Sequence, residues 1–304
     1  MNSEDLINNL DDHDDIDVRE LFSIIWNKKK FLAISSSFSA VIAIIIALYL
    51  PNIFTSSAIL SPADDQQSNA GMSQAAGLAS IVGMTLPAQA ADKTTEAIER
   101  VQSFEFFNKF FLPNILLKDL MAVSRWNPES NNISYIRSLI NSPEGTWRNE
   151  EPSSQSAYKQ YKKMMTISQD KKTSFVTLSI KHKSPFVAQE WAQLIIDKIN
   201  QSMRDEDKNK ALRSVKYLNA QIRQTSYEQV KQSISALQQQ QFKSLMLIEA
   251  NDDYIFKVLN SPIAPEFKSE PRRSLMVIFG TLIGVMLSIF FVLINHYRSK
   301  DIPE

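Results

Sequence analysis

Two uncharged apolar stretches, each about one bilayer long, lie near the two ends of this chain and enclose most of it. The first covers residues 31–50 (FLAISSSFSAVIAIIIALYL), and the second covers residues 275–294 (LMVIFGTLIGVMLSIFFVLI). A helix rises about 1.5 Å per residue, so either stretch is long enough to cross the roughly 30 Å hydrocarbon core of a membrane. The sequence therefore predicts two transmembrane helices that bracket one large domain, residues 51–274.

Lysines at one end of the first stretch predict its orientation. Residues 28–30 are all lysine, and no basic residue follows the stretch until Lys93. Because cytoplasmic segments carry an excess of Lys and Arg, the N-terminal tail is expected in the cytoplasm. The stretch is too long for a signal-peptide core and lacks a small-x-small cleavage site, so we expect an uncleaved anchor. Arg272 and Arg273 favour the opposite orientation, but large domains translocate largely regardless of charge.

The composition agrees with this location and excludes several kinds of site. The chain has no cysteine, which excludes thiolate metal sites, disulfides and a cysteine nucleophile, and suits an oxidising compartment such as the periplasm. Its formal net charge is zero, so it carries no overall footprint for nucleic acid. We expect a two-span protein of the bacterial inner membrane, with cytoplasmic tails at residues 1–30 and 295–304 and a periplasmic domain at residues 51–274.

Residues that suit catalysis are few. Of the three histidines, only His182 lies between the two apolar stretches, and a catalytic histidine needs an orienting carboxylate and a nucleophile. We interpret His182 as an ordinary surface residue at the end of a strand. Acidic doublets such as Asp64-Asp65 are typical of solvated loops, and no phosphate-binding P-loop motif occurs. The sequence predicts no enzyme activity, no cofactor, no metal and no nucleic-acid partner.

The spacing of apolar residues predicts mixed α and β structure between the two spans. Strands are predicted over residues 54–60, 175–181 and 254–259, and helices over residues 94–111, 115–124 and 158–166. A short helix over residues 17–30 is expected before the first span, and a loop over residues 127–156. Residues 66–91 are rich in Ala, Ser, Gln and Gly. They predict either a mobile loop or a segment that only a neighbouring subunit orders.

A run without glycine or proline, residues 186–261, predicts long helices. Apolar residues recur at steps of three and four on both sides of residues 204–210 (RDEDKNK), which are polar on every side and predict a helix that leaves the body of the domain. The segment Thr225-Ser-Tyr-Glu228 has the form of a capping box. It favours two antiparallel helices with a bend near residues 224–227. The alternative is one unbroken helix of roughly 90–100 Å.

Three features indicate where subunits or a partner protein make contact. Prolines stiffen the approach to the second span, because each ring fixes φ and removes a hydrogen-bond donor. The second span contains a GxxxG motif, which lets helix backbones approach closely in lipid. The apolar stripe of the long helix offers a face for neighbouring subunits. The candidate residues for contact with other subunits or with a partner protein are therefore Gly280, Gly284, Pro262, Pro265, Pro271, Leu218 and Ile222.

The order of these features resembles the Wzz-type chain-length determinants, which are polysaccharide co-polymerases without a kinase domain. Residues 15–30, with DIDVREL and then WNKKK, are similar to the family's pre-membrane segment, and residues 54–60 (FTSSAIL) to its first strand. Residues 170–180 followed by Ser184-Pro185 resemble the strand that enters its long helix. The prolines and glycines before and within the second span resemble its proline-rich lead into a glycine-bearing helix.

The resemblance implies an α+β membrane protein with two transmembrane helices flanking a periplasmic α/β base domain that carries a long helical projection. The base is expected over residues 51–183 and 251–270, and the projection over residues 184–250. The implied assembly is a homo-oligomeric ring in membrane lipid. Such a ring acts with the O-antigen polymerase to set the chain length of lipopolysaccharide O-antigen, and the growing polysaccharide is a further candidate partner. Because only a short tail follows the second span, we expect a member without the kinase domain that related proteins carry there.

A second function stays open at this point. A non-enzymatic component of a polysaccharide or capsule export apparatus would also cross the periplasm with helices. A transport adaptor should show a glycine-rich, lipoyl-like half-motif, and none occurs. The spacing of residues alone does not separate chain-length control from export.

Overall fold

The computed structural model describes residues 26–63, 89–141, 145–251 and 253–300. The chain divides into two compact units. The first, Met1–Pro51 with Glu270–Glu304, is here called the helix pair, and the second, Asn52–Ser269, the enclosed unit. Residues 66–88 of the predicted loop and most of the predicted helix over residues 17–30 lie outside the described residues.

The described residues form eight α-helices and six strands along the chain. The α-helices are α1 (Lys29–Tyr49), α2 (Gln89–Gln102), α3 (Phe104–Phe106), α4 (Leu117–Met121), α5 (Ser154–Met164), α6 (Pro185–Gln224), α7 (Glu228–Ala250) and α8 (Arg273–Lys300). The strands are β1 (Phe54–Pro62), β2 (Val123–Asn127), β3 (Asn132–Tyr135), β4 (Met165–Gln169), β5 (Val176–His182) and β6 (Phe256–Asn260). A π-helix, Phe107–Phe111, and a 3-10 turn, Leu112–Asn114, follow α3.

A four-stranded sheet forms the base of the enclosed unit, in the order β4-β5-β1-β6. All its neighbours are antiparallel, and β1 pairs with β5 from Phe54↔His182 to Leu60↔Val176. Side chains of β1 alternate, with Ala58 and Leu60 buried and Ile59 exposed. This alternation is the period of two that a sheet with one buried face requires.

The first half of α6 covers that buried face. Its apolar residues recur at helical spacing, so Ala188, Trp191, Ile195 and Ile199 all face the core. An aromatic cluster from α5 and the π-helix packs against α6. Phe107, Phe111 and Tyr161 contact one another, and Phe111 meets Trp191 of α6 edge-on.

The second half of α6 leaves this core and packs against α7. Two contacts show that the helices run antiparallel: Gln238 Nε2 donates to Asn219 Oδ1 over 2.9 Å, and Lys208 pairs with Glu249. The two helices separate at residues 225–227, so the predicted bend is confirmed. The predicted capping box is wrong, because α7 is preceded by Tyr227 and has no side-chain cap.

Most predicted elements of the base are confirmed with shifted ends. The strands predicted over residues 54–60, 175–181 and 254–259 are β1, β5 and β6. The predicted helix over residues 94–111 begins earlier, at Gln89, so residues 89–91 are not loop. It also breaks at Ser103, whose hydroxyl accepts the N–H of Phe106 and starts a new helix.

Two predictions for the middle of the base need correction. The expected loop over residues 127–156 contains β3, which pairs with β2 in a hairpin, and its last residues begin α5. The helix expected over residues 115–124 is reduced to α4, because the chain enters β2 at Val123. Short segments with weak alternation give no sequence signal for the strand that they pair with. Pairing between β2 and β3 therefore decides their structure against the local prediction.

Candidate functional site

The described residues show no constellation for chemistry. Among them, no group of three or more His, Asp or Glu side chains is placed to hold a metal ion. His182 is 3% exposed, so the prediction that it is a surface residue is wrong. The strand end that carries it is covered by Trp191 of α6, with ring centroids 5.0 Å apart.

The hydrogen bonds of His182 give it a structural role. Its Nδ1 accepts the Ser184 N–H over 2.9 Å, and its Nε2 lies 3.0 Å from the Asp119 carbonyl oxygen, to which it donates. Burial lowers the pKa of His182. Nδ1 also lies 3.3 Å from the Ser184 carbonyl oxygen, but its contact with the Ser184 N–H is shorter and favours the neutral ring with the proton on Nε2. His182 ties α4 to the start of α6 and has no free nitrogen for catalysis.

The glycines of the second span lie against the first span of the same chain. A Cβ added at Gly280 would lie 2.6 Å from the Ala43 Cβ, and one added at Gly284 would lie 2.3 Å from the Ser39 Cβ. Real Cβ atoms do not approach so closely, so only glycine permits this spacing of α1 and α8. Ser39 Oγ donates to the Gly280 carbonyl oxygen over 2.9 Å. The predicted close approach of helix backbones therefore occurs within one chain.

The helix pair is antiparallel and leaves most of its surface exposed. Phe31 near the start of α1 stacks on Phe291 near the end of α8, with ring centroids 5.9 Å apart. Only 6% of the apolar window of α1 and 17% of that of α8 is buried. A core helix of a soluble domain would be mostly buried. Length, composition and an exposed apolar surface make both helices suited to cross a membrane.

The prolines lie along the segment between β6 and α8. Pro262 is buried, and its carbonyl oxygen accepts a hydrogen bond from Gln189 Nε2 of α6 over 3.2 Å. Pro265 and Pro271 are half-buried. Pro262 also borders a shallow groove of about 410 Å³, together with Phe186, Gln189, Glu190, Gln193, Leu194 and Asp197. The prolines thus fix the path of the segment that leaves the sheet.

Leu218 and Ile222 lie half-buried on the hairpin of α6 and α7. Several other apolar side chains of the hairpin are more exposed in the single chain: Leu212 at 46%, Tyr217 at 64%, Val230 at 44%, Leu237 at 52%, Phe242 at 44% and Met246 at 70%. The apolar stripes predicted from the sequence are thus only partly covered within the chain. Pro262, Pro265, Leu218 and Ile222 belong to the enclosed unit, whereas Pro271, Gly280 and Gly284 belong to the helix pair.

Sequence reasoning missed a charged contact between α2 and α6. Residues 204–210 are polar on every side, yet Glu206 pairs with Arg100, and Asp207 lies 3.1 Å from Lys93 Nζ. The Tyr254 hydroxyl donates to Asp207 over 2.6 Å. A signal was available, because Lys93 and Arg100 are seven residues apart and share one helix face. The two carboxylates therefore hold α2 where it meets the long helix.

One family model matches the N-terminal part of the chain. Residues 14–112, about a third of the sequence, match the family model described as Wzz: Chain length determinant protein. The resemblance to the Wzz family is confirmed. The Wzz match covers the first span, β1, α2 and the π-helix that supplies Phe107 and Phe111 to the core. No curated protein matches the chain.

Solved structures of polysaccharide co-polymerases are similar to this Wzz-like chain. A full-length bacterial polysaccharide co-polymerase is 16% identical, with 95% of this chain and 100% of that chain covered and a TM-score of 0.42. A fragment of WzzB from Salmonella Typhimurium is 17% identical, with 72% and 100% covered and a TM-score of 0.31. The wild-type O-antigen chain-length regulator WzzBSF of Shigella flexneri is 15% identical, with 71% and 100% covered and a TM-score of 0.25.

Proposed function

We propose that this protein controls the chain length of lipopolysaccharide O-antigen or a related surface polysaccharide, as an oligomeric co-polymerase that acts with an inner-membrane polymerase. The observation that carries the proposal is the Wzz match over residues 14–112. The antiparallel helix pair, with its glycine contact and exposed apolar surface, agrees with anchoring in the inner membrane. The protein regulates the polymerase and does not itself form glycosidic bonds.

The proposed topology follows from charge and connectivity. Both termini lie in the cytoplasm, because the lysines at residues 28–30 precede the first apolar stretch and an antiparallel second span returns the chain to the same side. The enclosed unit then lies in the periplasm. A cysteine introduced at exposed Tyr227 should react with a membrane-impermeant maleimide added to the periplasm, whereas one introduced in residues 1–25 should not. Labelling of the N-terminal cysteine alone would reverse the topology.

The exposed apolar side chains of the hairpin support the oligomer. Leu237 and Phe242 are both about half exposed in the single chain, and large exposed apolar surfaces mark protein contacts. We expect these residues, with Leu218 and Ile222, to be covered by neighbouring subunits in a ring. Gly280 and Gly284 contribute by holding the two spans together, so that each subunit presents one composite membrane surface to its neighbours or to the polymerase.

The test of function is the O-antigen ladder on a lipopolysaccharide gel. Deletion of the gene should convert a clustered ladder into an unregulated decay of lengths, and restoration of the gene should bring the cluster back. An unchanged ladder would contradict control of O-antigen, and capsule and common-antigen polymers would be measured next. A polymer of unchanged length that accumulates inside the cell would instead indicate an export role.

A charge on the hairpin tests whether the oligomer is needed. Leu218→Asp and Leu237→Asp should weaken the ring, because each places a carboxylate where a neighbouring subunit would bury an apolar side chain. The matched control is Gln239→Asp, which adds the same charge at an exposed polar position of α7. Subunit number in detergent and ladder shape should change together for the leucine variants and stay unchanged for the control. Full regulation by a monomeric variant would refute the oligomeric mechanism.

A further inference from the structure

Two strongly exposed apolar side chains lie on the short segment that leads from β6 towards α8. Phe267 is 84% exposed and Ile263 is 68% exposed. Single exposed apolar residues are common on protein surfaces, so exposure alone indicates no site. The two residues are here called the Ile263/Phe267 pair, and the contacts around them indicate what the exposed side chains can bind.

Hydrogen bonds hold the backbone on both sides of the pair. Ser56 Oγ of β1 donates to the Ile263 carbonyl oxygen over 2.7 Å. The Ser269 N–H and hydroxyl both donate to the Ile53 carbonyl oxygen, over 2.9 and 3.0 Å. The Thr55 and Ser269 hydroxyls lie 2.7 Å apart. The segment is thus fixed to the first strand, and the pair is displayed by an ordered loop.

Short connections also link the pair to both apolar helices. Arg273, where α8 begins, is six positions after Phe267, and an extended chain of that length reaches at most about 20 Å. Ile53, to which Ser269 is bonded, follows the end of α1 at Tyr49 by four residues, a reach of at most about 14 Å. The pair is therefore joined to each of the two proposed spans by only a few residues of chain.

We propose that Ile263 and Phe267 insert into the boundary between headgroups and acyl chains, and so anchor the enclosed unit to phospholipid. This inference rests on the proposed membrane insertion of α1 and α8 and is independent of chain-length control. Apolar side chains that enter this boundary gain by leaving water. The exposed neighbours Glu266 and Lys268 carry opposite charges, so the contact is apolar and needs no anionic lipid.

Depth-dependent quenching tests the anchor. The chain has no cysteine, so Phe267→Cys and Ile263→Cys each provide one labelling site in the full-length protein. The variants carry a nitrobenzoxadiazole label and are reconstituted into phosphatidylcholine vesicles. We expect fluorescence to be lost when a lipid with a nitroxide near the headgroup is included, and to be retained with aqueous iodide. Added salt should not change either result. Tyr227→Cys, from a site 77% exposed, should show the reverse pattern.

A label in the second span separates failure of the anchor from failure of membrane insertion. Phe290→Cys lies on the exposed apolar surface of α8, near one end of the span, and should be quenched by a lipid that carries a nitroxide in the upper part of its acyl chains. If the label at position 290 is quenched by lipid while iodide quenches the label at position 267, the proposed anchor is wrong and membrane insertion of α8 is supported. If label 267 is protected from both quenchers, a protein surface covers the pair and the anchor is wrong. If label 290 is not quenched by lipid, insertion and the anchor both fail.

Discussion

A buried amide on α6 holds the edge strand β6, and its removal should destabilise the enclosed unit strongly. Asn200 is 6% exposed. Its Oδ1 accepts the N–H groups of Ile255 and Phe256 over 3.0 and 2.9 Å, and its Nδ2 donates to the Phe256 carbonyl oxygen over 3.0 Å. Phe256 is fully buried and Ile255 is 5% exposed, so water does not replace a lost partner easily.

The expected cost follows from the number of groups left without partners. Asn200→Leu keeps most of the side-chain volume but leaves the N–H groups of Ile255 and Phe256 and the Phe256 carbonyl without their side-chain partner. An unsatisfied buried polar group costs about 1–3 kcal/mol, so the variant should lose roughly 3 kcal/mol or more of the free energy of unfolding. That loss is a large part of the roughly 5–15 kcal/mol typical of a domain. Asn200→Ala should lose more, because a cavity adds to the unpaired groups.

Urea unfolding of the full chain in detergent, followed by circular dichroism, measures the effect. The matched control is Asn219→Leu, which removes a side-chain hydrogen bond to Gln238 from a half-exposed site on the same helix. Water can replace that bond, so the control should lose less than about 1 kcal/mol. Equal losses at positions 200 and 219 would refute the reasoning, since burial would then make no difference to the cost of an unpaired group.

Three further perturbations follow from the contacts described. Burial lowers the pKa of His182, so the free energy of unfolding should fall as pH drops below about 6.5, where the unfolded chain binds the proton first, and should level off below the pKa of the folded protein. His182→Gln should reduce the slope of the free energy of unfolding against pH, and an unchanged slope would contradict the role given to His182. Gly284→Leu should separate the two spans, because ordinary carbon contacts need about 3.5–4.0 Å, whereas a Cβ at position 284 would lie 2.3 Å from the Ser39 Cβ. The variant should lower the yield of a disulfide between cysteines introduced into the two helices, whereas Ile283→Leu on the exposed face should not. Arg100→Gln should cost about 1 kcal/mol or less at low salt and less at high salt, measured by urea unfolding, because the guanidinium is partly exposed; a salt-independent loss would indicate packing and not charge.

Local patterns predicted the elements whose side-chain period matches one buried face. The alternation in residues 54–60 and 175–181 located β1 and β5, and the spacing of three and four before residue 204 located the buried face of α6. Both signals come from the backbone geometry of a single element, so they survive without knowledge of the neighbours. The apolar spans are the strongest case, because each is a continuous run with no charge.

Features that depend on distant partners were not predictable. The hairpin of β2 and β3 consists of short, half-exposed strands, and its pairing is recognised only once both strands are placed. His182 looked like a surface residue because nothing nearby in sequence covers it, whereas Trp191 and the Asp119 carbonyl approach it from other elements. The GxxxG spacing predicted a close helix contact but not its partner, which is Ser39 and Ala43 of the same chain.

The polar stretch of α6, residues 204–210, shows how a local rule reaches its limit. A helix segment that is polar on every side cannot face an apolar core, and on that rule it was expected to leave the body of the domain. In the structure the stretch does not face only solvent, because Lys93 and Arg100 of α2 pair with its carboxylates and the Tyr254 hydroxyl donates to Asp207. The stretch does leave the apolar core after Met203, but it does so through a set of paired charges. Such a joint holds α2 to α6 with interactions that salt weakens, whereas the aromatic core beside it is held by burial. Ala97 and Val101 of α2 are fully buried, so salt should loosen the charged contact between α2 and residues 204–210 but not the buried face of α2 or the sheet. Hydrogen exchange at low and high salt would reveal this difference.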